Sequence, residues 1–193
     1  GHATRDLAII NQMELESYKV FSGSSAIQFF QRNDIEANDV YSPPKFEVQN
    51  GKLEKSLKWL WSYYKYYKNC KEISNDIIRK EEPELIISDE DFASIAVAQE
   101  QGIPNIVITD ILETKFTSGF GAMVEKKMNK TMQEMMKKAN RVIIPESGMN
   151  KDNIIRTGPI VRKTQKKREE IRKDLDFKKK TVVLCAGGTE AGK

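Results

Sequence analysis

The chain has 193 residues, 39% of them apolar and 31% charged, the balance of a globular protein with a charged surface and enough length to bury a core. No apolar run approaches the ~20 residues a membrane-spanning helix needs, no secretory signal pattern is present, and Cys70 and Cys185 lack the paired spacing of a zinc site or disulfide framework; a reducing, cytoplasmic setting is expected. The net charge of +4 is local: residues 163–180 hold nine basic and four acidic side chains, leaving the rest of the chain at −1, which argues against a surface built for nucleic acid.

Leu7, Ile10 and Met13, beside Ala8 and Ile9, predict an amphipathic helix from about Thr4 to Leu15. An α/β chain ordinarily opens on a strand, so a strand and its loop are expected ahead of Gly1-His2; a purification remnant at Gly1-His2 is the other reading. Lys19–Gly23 reads as a short strand and turn. Ser24 or Ser25 then caps a helix carrying Ala26, Ile27, Phe29 and Phe30, and Asp39–Ser42 reads as a strand ended by Pro43-Pro44. Helix and strand alternate, the signature of an α/β fold.

From Leu53 to Arg79 a long helical pattern places Leu53, Leu57, Leu60, Trp61 and Tyr64 on one face, continued by Ile73 and Ile77. Trp59, Tyr63, Tyr66 and Tyr67 widen the aromatic surface and alternate with Lys58, Lys65 and Lys68. Two readings stand here: a helix lying on a membrane interface, or a core helix whose lysine stems cover apolar surface.

The centre of the chain carries the firmest prediction. Pro83 closes off the preceding helix, and Leu85-Ile86-Ile87 is an uninterrupted apolar run of the kind covered on both faces in parallel sheets. Ser88, Asp89 and Asp91 can accept hydrogen bonds from a helix start. Phe92, Ile95 and Ala96 recur at helical spacing, Gly102 suits a left-handed stop, and Ile106-Val107-Ile108 is a second buried strand. This is a βαβ unit, with parallel strands and a right-handed crossover. Ligands in such sheets bind beyond the carboxyl ends of the strands, where Ser88-Asp89 and Thr109-Asp110 both fall. Helix capping is the competing role for Asp89 and Asp91.

Residues 112–123 hold Thr114, Thr117, Ser118, Gly119 and Gly121, the chemistry of a mobile loop. Met123, Met128, Met132, Met135 and Met136 punctuate a helix to about Ala139, a stripe suited to adaptable packing. Arg141–Pro145 and Asn153–Pro159 read as two more strands. Lys163–Leu175 is a basic, helix-prone segment, followed by a polar linker to Lys180. Thr181–Cys185 is a fresh apolar strand running into the glycine loop Gly187-Gly188-Thr189-Glu190-Ala191-Gly192-Lys193, which reads as the start of a second α/β domain.

Gly187, four residues, and Gly192-Lys193 fit the first part of a P-loop, whose backbone N–H groups and lysine hold nucleotide phosphates. The other reading is a Gly-Gly-Thr loop facing a diphosphate at a helix N-terminus. In both, the loop binds an anion.

Taken in order, Gly1-His2-Ala3-Thr4-Arg5, Pro83–Asp89, Gly102-Ile103-Pro104, Thr157-Gly158-Pro159-Ile160 and Gly187-Gly188-Thr189 make the chain resemble the nucleotide-sugar glycosyltransferases of the GT-B fold. The branch is that of the bacterial transferase that adds N-acetylglucosamine to a lipid-linked cell-wall precursor, with its archaeal relatives. The resemblance implies an acceptor-side Rossmann-like domain over residues 1–162, an interdomain helix and linker over 163–180, and the opening of a nucleotide-sugar domain over 181–193.

It further implies transfer of a hexose or N-acetylhexosamine from a UDP-type donor to a sugar or lipid-linked acceptor hydroxyl. His2 is the candidate base and Asp89 a second candidate carboxylate; Arg5, Ser88 and Asp110 lie on the acceptor side; Gly187, Gly188 and Thr189 approach the donor diphosphate. No metal or other cofactor is required by this pattern. Peripheral contact with the inner membrane face and self-association are compatible with it, and these residues alone are expected to be an inactive half. Nucleotide-sugar epimerases share the architecture and are the alternative, with the P-loop NTPase.

Overall fold

The computed structural model describes residues 1–13, 17–23, 25–45, 48–49, 52–53, 56–115, 117, 119–163 and 166–182; the predicted strand from Thr181 and the glycine loop with Gly187, Gly188 and Thr189 therefore lie almost wholly outside them. The architecture is α/β: Rossmann-like parallel sheet flanked by helices.

Two pieces of parallel sheet organise the chain. In the first, α1 (His2–Ile10), β1 (Val20–Ser22), α2 (Ser25–Gln31) and β2 (Ala37–Asp39) follow one another, with Val20 opposite Ala37 and Ser22 opposite Asp39. Leu7, Phe30 and Ile35 form its core, with Val20, Phe29 and Ala37 packed around them. Strand β2 comes earlier than the predicted Asp39–Ser42. Its start follows the burial of Ile35, which anchors the chain before the strand begins.

In the second piece β5 (Ile86–Asp89), β6 (Asn105–Ile108), β7 (Arg141–Ile144) and β8 (Ile154–Arg156) form a four-stranded parallel sheet in chain order. Helices α4 (Phe92–Glu100) and α5 (Phe120–Lys138) are its crossovers. Ile95, Val107, Met136, Ala139, Val142 and Ile144 make its core, with Met132 and Met135 packed against it; the C-terminal part of the methionine stripe packs as expected, while Met123 stands exposed. The run Leu85-Ile86-Ile87 departs from expectation. Ile86 packs on the core, but Leu85 and Ile87 are exposed, because among the described residues β5 lies at the edge of this sheet, paired with β6.

Between the two pieces, a short hairpin of β3 (Val48–Gln49) and β4 (Lys52–Leu53) precedes α3 (Ser56–Glu81). Leu53, expected inside the helix, belongs to that hairpin. On α3 the buried line is Leu60, Cys70, Ser74 and Ile78, while Trp61 and Tyr64 stand 60% and 45% exposed, contrary to the face assigned from the sequence. The helix packs on α4 along the line that continues to Ile78 and turns Trp61 and Tyr64 to solvent, where Lys65 lies 5.4 Å over the Trp61 ring and Lys68 4.9 Å over Tyr64. Ion pairs Lys19–Glu81 and Lys71–Glu100 flank α3. The basic segment contributes α6 (Arg168–Asp174).

Both ends of α4 follow the sequence signals. Gly102 adopts φ +71°, and Ile103 N–H reaches back to the Ala98 carbonyl at 2.9 Å, a left-handed stop. The Asp91 carboxylate accepts from Ala93 N–H at 3.0 Å and Ser94 N–H at 3.3 Å. Asp91→Ala is expected to cost about 1 kcal/mol of stability, read as a lower urea midpoint at unchanged slope; no change would show that the cap is replaced by water.

Candidate functional site

The site is built where three chain segments meet at the carboxyl ends of the strands. Strand β5 ends on Asp89 and is followed by Glu90; β6 is followed by Thr109 and Asp110; the first turns of α1 supply His2, Arg5 and Asp6. The α1 residues fall at i, i+3 and i+4, the spacing that puts side chains on one helix face, and that face meets Asp89.

Arg5 is the hub. Its Nε donates to Asp89 Oδ2 at 2.9 Å and its Nη2 to Asp89 Oδ1, a two-pronged contact of the kind a guanidinium fork makes with a carboxylate. Nη1 lies 3.5 Å from Asp110 Oδ2. The Arg5 and Asp89 side chains are 11% and 7% exposed, so this pair is largely withdrawn from water. His2 Nδ1 is 3.2 Å from Asp89 Oδ1 and 2.9 Å from Arg5 Nη2. Protonated, it donates to Asp89; with its proton on Nε2 alone, Nδ1 accepts from Arg5. Its Nε2 faces Glu90 Oε2 at 3.6 Å, and the ring is half exposed.

Glu90 is held from its other oxygen. Oε1 accepts from Thr109 Oγ1 at 3.1 Å and from Asp110 N–H at 3.2 Å, and Thr109 is fully buried. The Glu90 backbone has φ +63°, a left-handed conformation that a non-glycine residue adopts at a cost and that concentrates at functional positions.

The charges bias one another. Hydrogen bonding to Asp89 raises the His2 pKa against the opposing pull of burial, and the same carboxylate raises that of Arg5. Burial works against ionisation of Asp89, but hydrogen bonds with His2, Arg5 and Asp6 outweigh it and hold the carboxyl at about 2. Asp6 goes the other way: burial, then the neighbouring Asp89 charge, push it up to about 8. Burial, with the neighbouring Asp110, pushes Glu90 up to about 7, while the hydrogen bond with Glu90 lowers Asp110. Around neutrality the cluster thus holds acids and bases poised near the working pH, the condition for proton transfer.

Of the residues singled out from the sequence, His2, Arg5, Asp89 and Asp110 come together. Ser88 does not join them: it is buried and its hydroxyl donates to the Asp91 carbonyl at 2.8 Å, tightening the turn into α4. The capping question is divided between the two aspartates, Asp91 capping α4 and Asp89 facing α1. Asp6 and Glu90 are additions. The i, i+4 relation of Asp6 to His2 was the available signal for the first, and the position of Glu90 just beyond a strand end was the signal for the second.

The loop that follows Asp110 is tied to α5. Thr117 donates through N–H and Oγ to Glu125 Oε2 at 2.9 and 2.6 Å, and Thr114 N–H and Oγ both lie 3.0 Å from Asn129 Oδ1. Glu125 and Asn129 are both buried, so the described part of this loop, predicted mobile, is clasped. A cleft of about 660 Å³ opens beside it, lined by Lys115, Lys126, Lys127 and Lys130 together with Glu113, Glu125, Ala122 and Met123. Among the described residues no group of three or more His, Cys, Asp or Glu side chains is placed to hold a metal ion, and no helix is long and apolar enough to cross a membrane.

Neither a family model nor a curated protein matches this sequence. Among solved structures, the chain is similar to MurG from Acinetobacter baumannii, at 13% identity and a TM-score of 0.47. The match covers 86% of this chain and 43% of that one, so the chain spans less than half the length of that protein.

Proposed function

We propose that the protein is a glycosyltransferase that moves a hexose or N-acetylhexosamine from a nucleotide diphosphate sugar to an acceptor hydroxyl, and that the described residues form its acceptor side. The observation that carries this reading is the cluster of His2, Arg5, Asp89, Glu90 and Asp110 at the carboxyl ends of β5 and β6. It offers proton-accepting groups at the rim where parallel sheets bind ligands. The sequence motifs from Gly1-His2 to Gly187-Gly188-Thr189 support the same reading.

Each residue then has a task. His2, half exposed with Nε2 beside Glu90, contacts the acceptor hydroxyl. Asp89 and Arg5 fix the imidazole, and Asp110 steadies Arg5. The glycine loop with Gly187, Gly188 and Thr189 would meet the donor diphosphate through backbone N–H groups, stabilising the leaving group without an obligatory metal. The solvent-facing Trp61, Tyr64, Lys65 and Lys68 are suited to peripheral contact with an anionic membrane.

The test is thermal shift of the intact protein, its mass verified, with UDP, UDP-N-acetylglucosamine, ATP and GTP. Stabilisation by the UDP compounds is expected, about 2.7 kcal/mol at a hundredfold excess over Kd. Stabilisation by ATP or GTP with magnesium in their place would move the assignment to a P-loop NTPase. No shift with any of the four would remove the nucleotide-sugar reading.

A further inference from the structure

We infer that Glu90 is the group that takes the proton from the acceptor hydroxyl, with His2 holding the same oxygen from the other side; this rests on the transferase reading and assigns a step within it. The argument begins with a spacing. His2 Nε2 and Glu90 Oε2 are 3.6 Å apart, beyond a good direct hydrogen bond but close enough for one hydroxyl oxygen to touch both at about 2.8 Å. The two atoms form a receptacle one oxygen wide at the rim of the sheet.

The roles within it are unequal. His2 Nδ1 faces Asp89 at 3.2 Å and Arg5 Nη2 at 2.9 Å, and Nε2 faces Glu90 at 3.6 Å; the two carboxylates outweigh the guanidinium and favour the imidazolium. An imidazolium donates a hydrogen bond; it does not accept a proton. Glu90 has the complementary properties. Its Oε1 is engaged by the Thr109 hydroxyl and the Asp110 N–H, its carboxyl also shares a hydrogen bond with the Asp110 side chain, and together these orient Oε2 toward His2. Its side chain is 18% exposed, reachable by a small group yet shielded from bulk water.

The step balances. The acceptor O–H bond breaks and the proton passes to Glu90 Oε2. The oxygen lone pair, stabilised by the His2 N–H as charge develops, forms the bond to the anomeric carbon. The bond from that carbon to the nucleoside diphosphate breaks, and the diphosphate leaves with its electron pair. Glu90 then loses the proton to solvent. The charged or titratable groups facing Glu90 are His2 and Arg5 from α1, Asp110 after β6 and Tyr63 from α3.

Glu90→Gln tests this with little change of shape. The glutamine carbonyl can still accept from Thr109 and Asp110, but an amide replaces the proton-accepting oxygen. We expect kcat for sugar transfer to fall about 10²- to 10⁴-fold, the acid limb of the kcat/KM profile to disappear, and UDP-induced stabilisation to persist. Glu90→Asp should recover part of the loss. In parallel, NMR titration of the His2 ring should move to lower pH in Glu90→Gln. Wild type that transfers sugar, with Glu90→Gln within about threefold of it and an unchanged acid limb, overturns the assignment while sparing the transferase reading. Full-length wild type that transfers no sugar from any UDP-sugar removes the reading, and the assignment with it. A His2 titration indifferent to the substitution overturns the pairing, whatever the activity.

Discussion

Arg5→Ala is expected to destabilise the protein by about 3–5 kcal/mol, the cost of removing one partner from a buried ion pair. Asp89 is 7% exposed, and in the variant it would face Asp6 across the same space with the guanidinium gone. Two carboxyls would then compete for one site, each disfavouring the charge of the other. The loss also has a structural route, because Arg5 belongs to α1, which packs with Phe30 and Ile35 in one core, while Asp89 ends β5 and Asp110 follows β6 in the other sheet. The ion pair is therefore a tie between the two pieces. Arg5→Lys should recover a minor part, since an ammonium cannot reproduce the forked contact through Nε and Nη2. Urea denaturation of the three proteins decides it. A cost under about 1 kcal/mol for Arg5→Ala would mean that water screens the pair as it does at a surface.

The central βαβ unit was legible because each of its boundaries carries a local signal. Pro83 stops a helix, Asp91 starts one, Gly102 ends it, and the two apolar runs are too short to be anything but strands. Register and exposure were less legible. Ile87 reads as buried from its neighbours in sequence, yet it lies on an edge strand, and edge position is set by which strands pair. Trp61 and Tyr64 show the same limit: helical periodicity finds a stripe, but which stripe faces α4 depends on packing with residues elsewhere in the chain. The site was half visible. His2, Arg5, Asp89 and Asp110 followed from motifs and strand ends, whereas Asp6 and Glu90 depend on contacts across the fold. Arg5 and Asp89 are 84 residues apart, and no local pattern announces that their neighbours also meet. Asp89 and Asp91 could not be separated as cap or site from sequence, since both precede the helix within a few residues.

The Asp6–Asp89 contact makes stability depend on pH in a direction that can be stated. Asp6 has a pKa of about 8 in the folded protein, far above the ~3.9 of an exposed aspartate. Between those values the folded state holds a proton that the unfolded state has released. The stabilisation from the protonated Asp6 carboxyl is therefore complete below about pH 4 and is lost as pH rises through about 8. Glu90, at about 7, acts with the same sign, and so does His2, whose pKa is also raised. Asp89 acts oppositely, since its folded value of about 2 lies below the ordinary one; its gain is complete by about pH 5 and leaves the higher range to the others. Stability should accordingly fall between pH 5 and pH 9, with Asp6 accounting for about 2–3 kcal/mol once solvent screening of a half-buried group is allowed for. Asp6→Asn keeps the shape and removes the charge. Its stability should match wild type near pH 4 and below, exceed it increasingly to pH 9, and slope more gently between, the remaining slope belonging to Glu90 and His2. Urea midpoints taken across that range would show it. Parallel curves for the two proteins would mean that Asp6 ionises freely beside Asp89, and that the two carboxyls do not share a proton in the folded state.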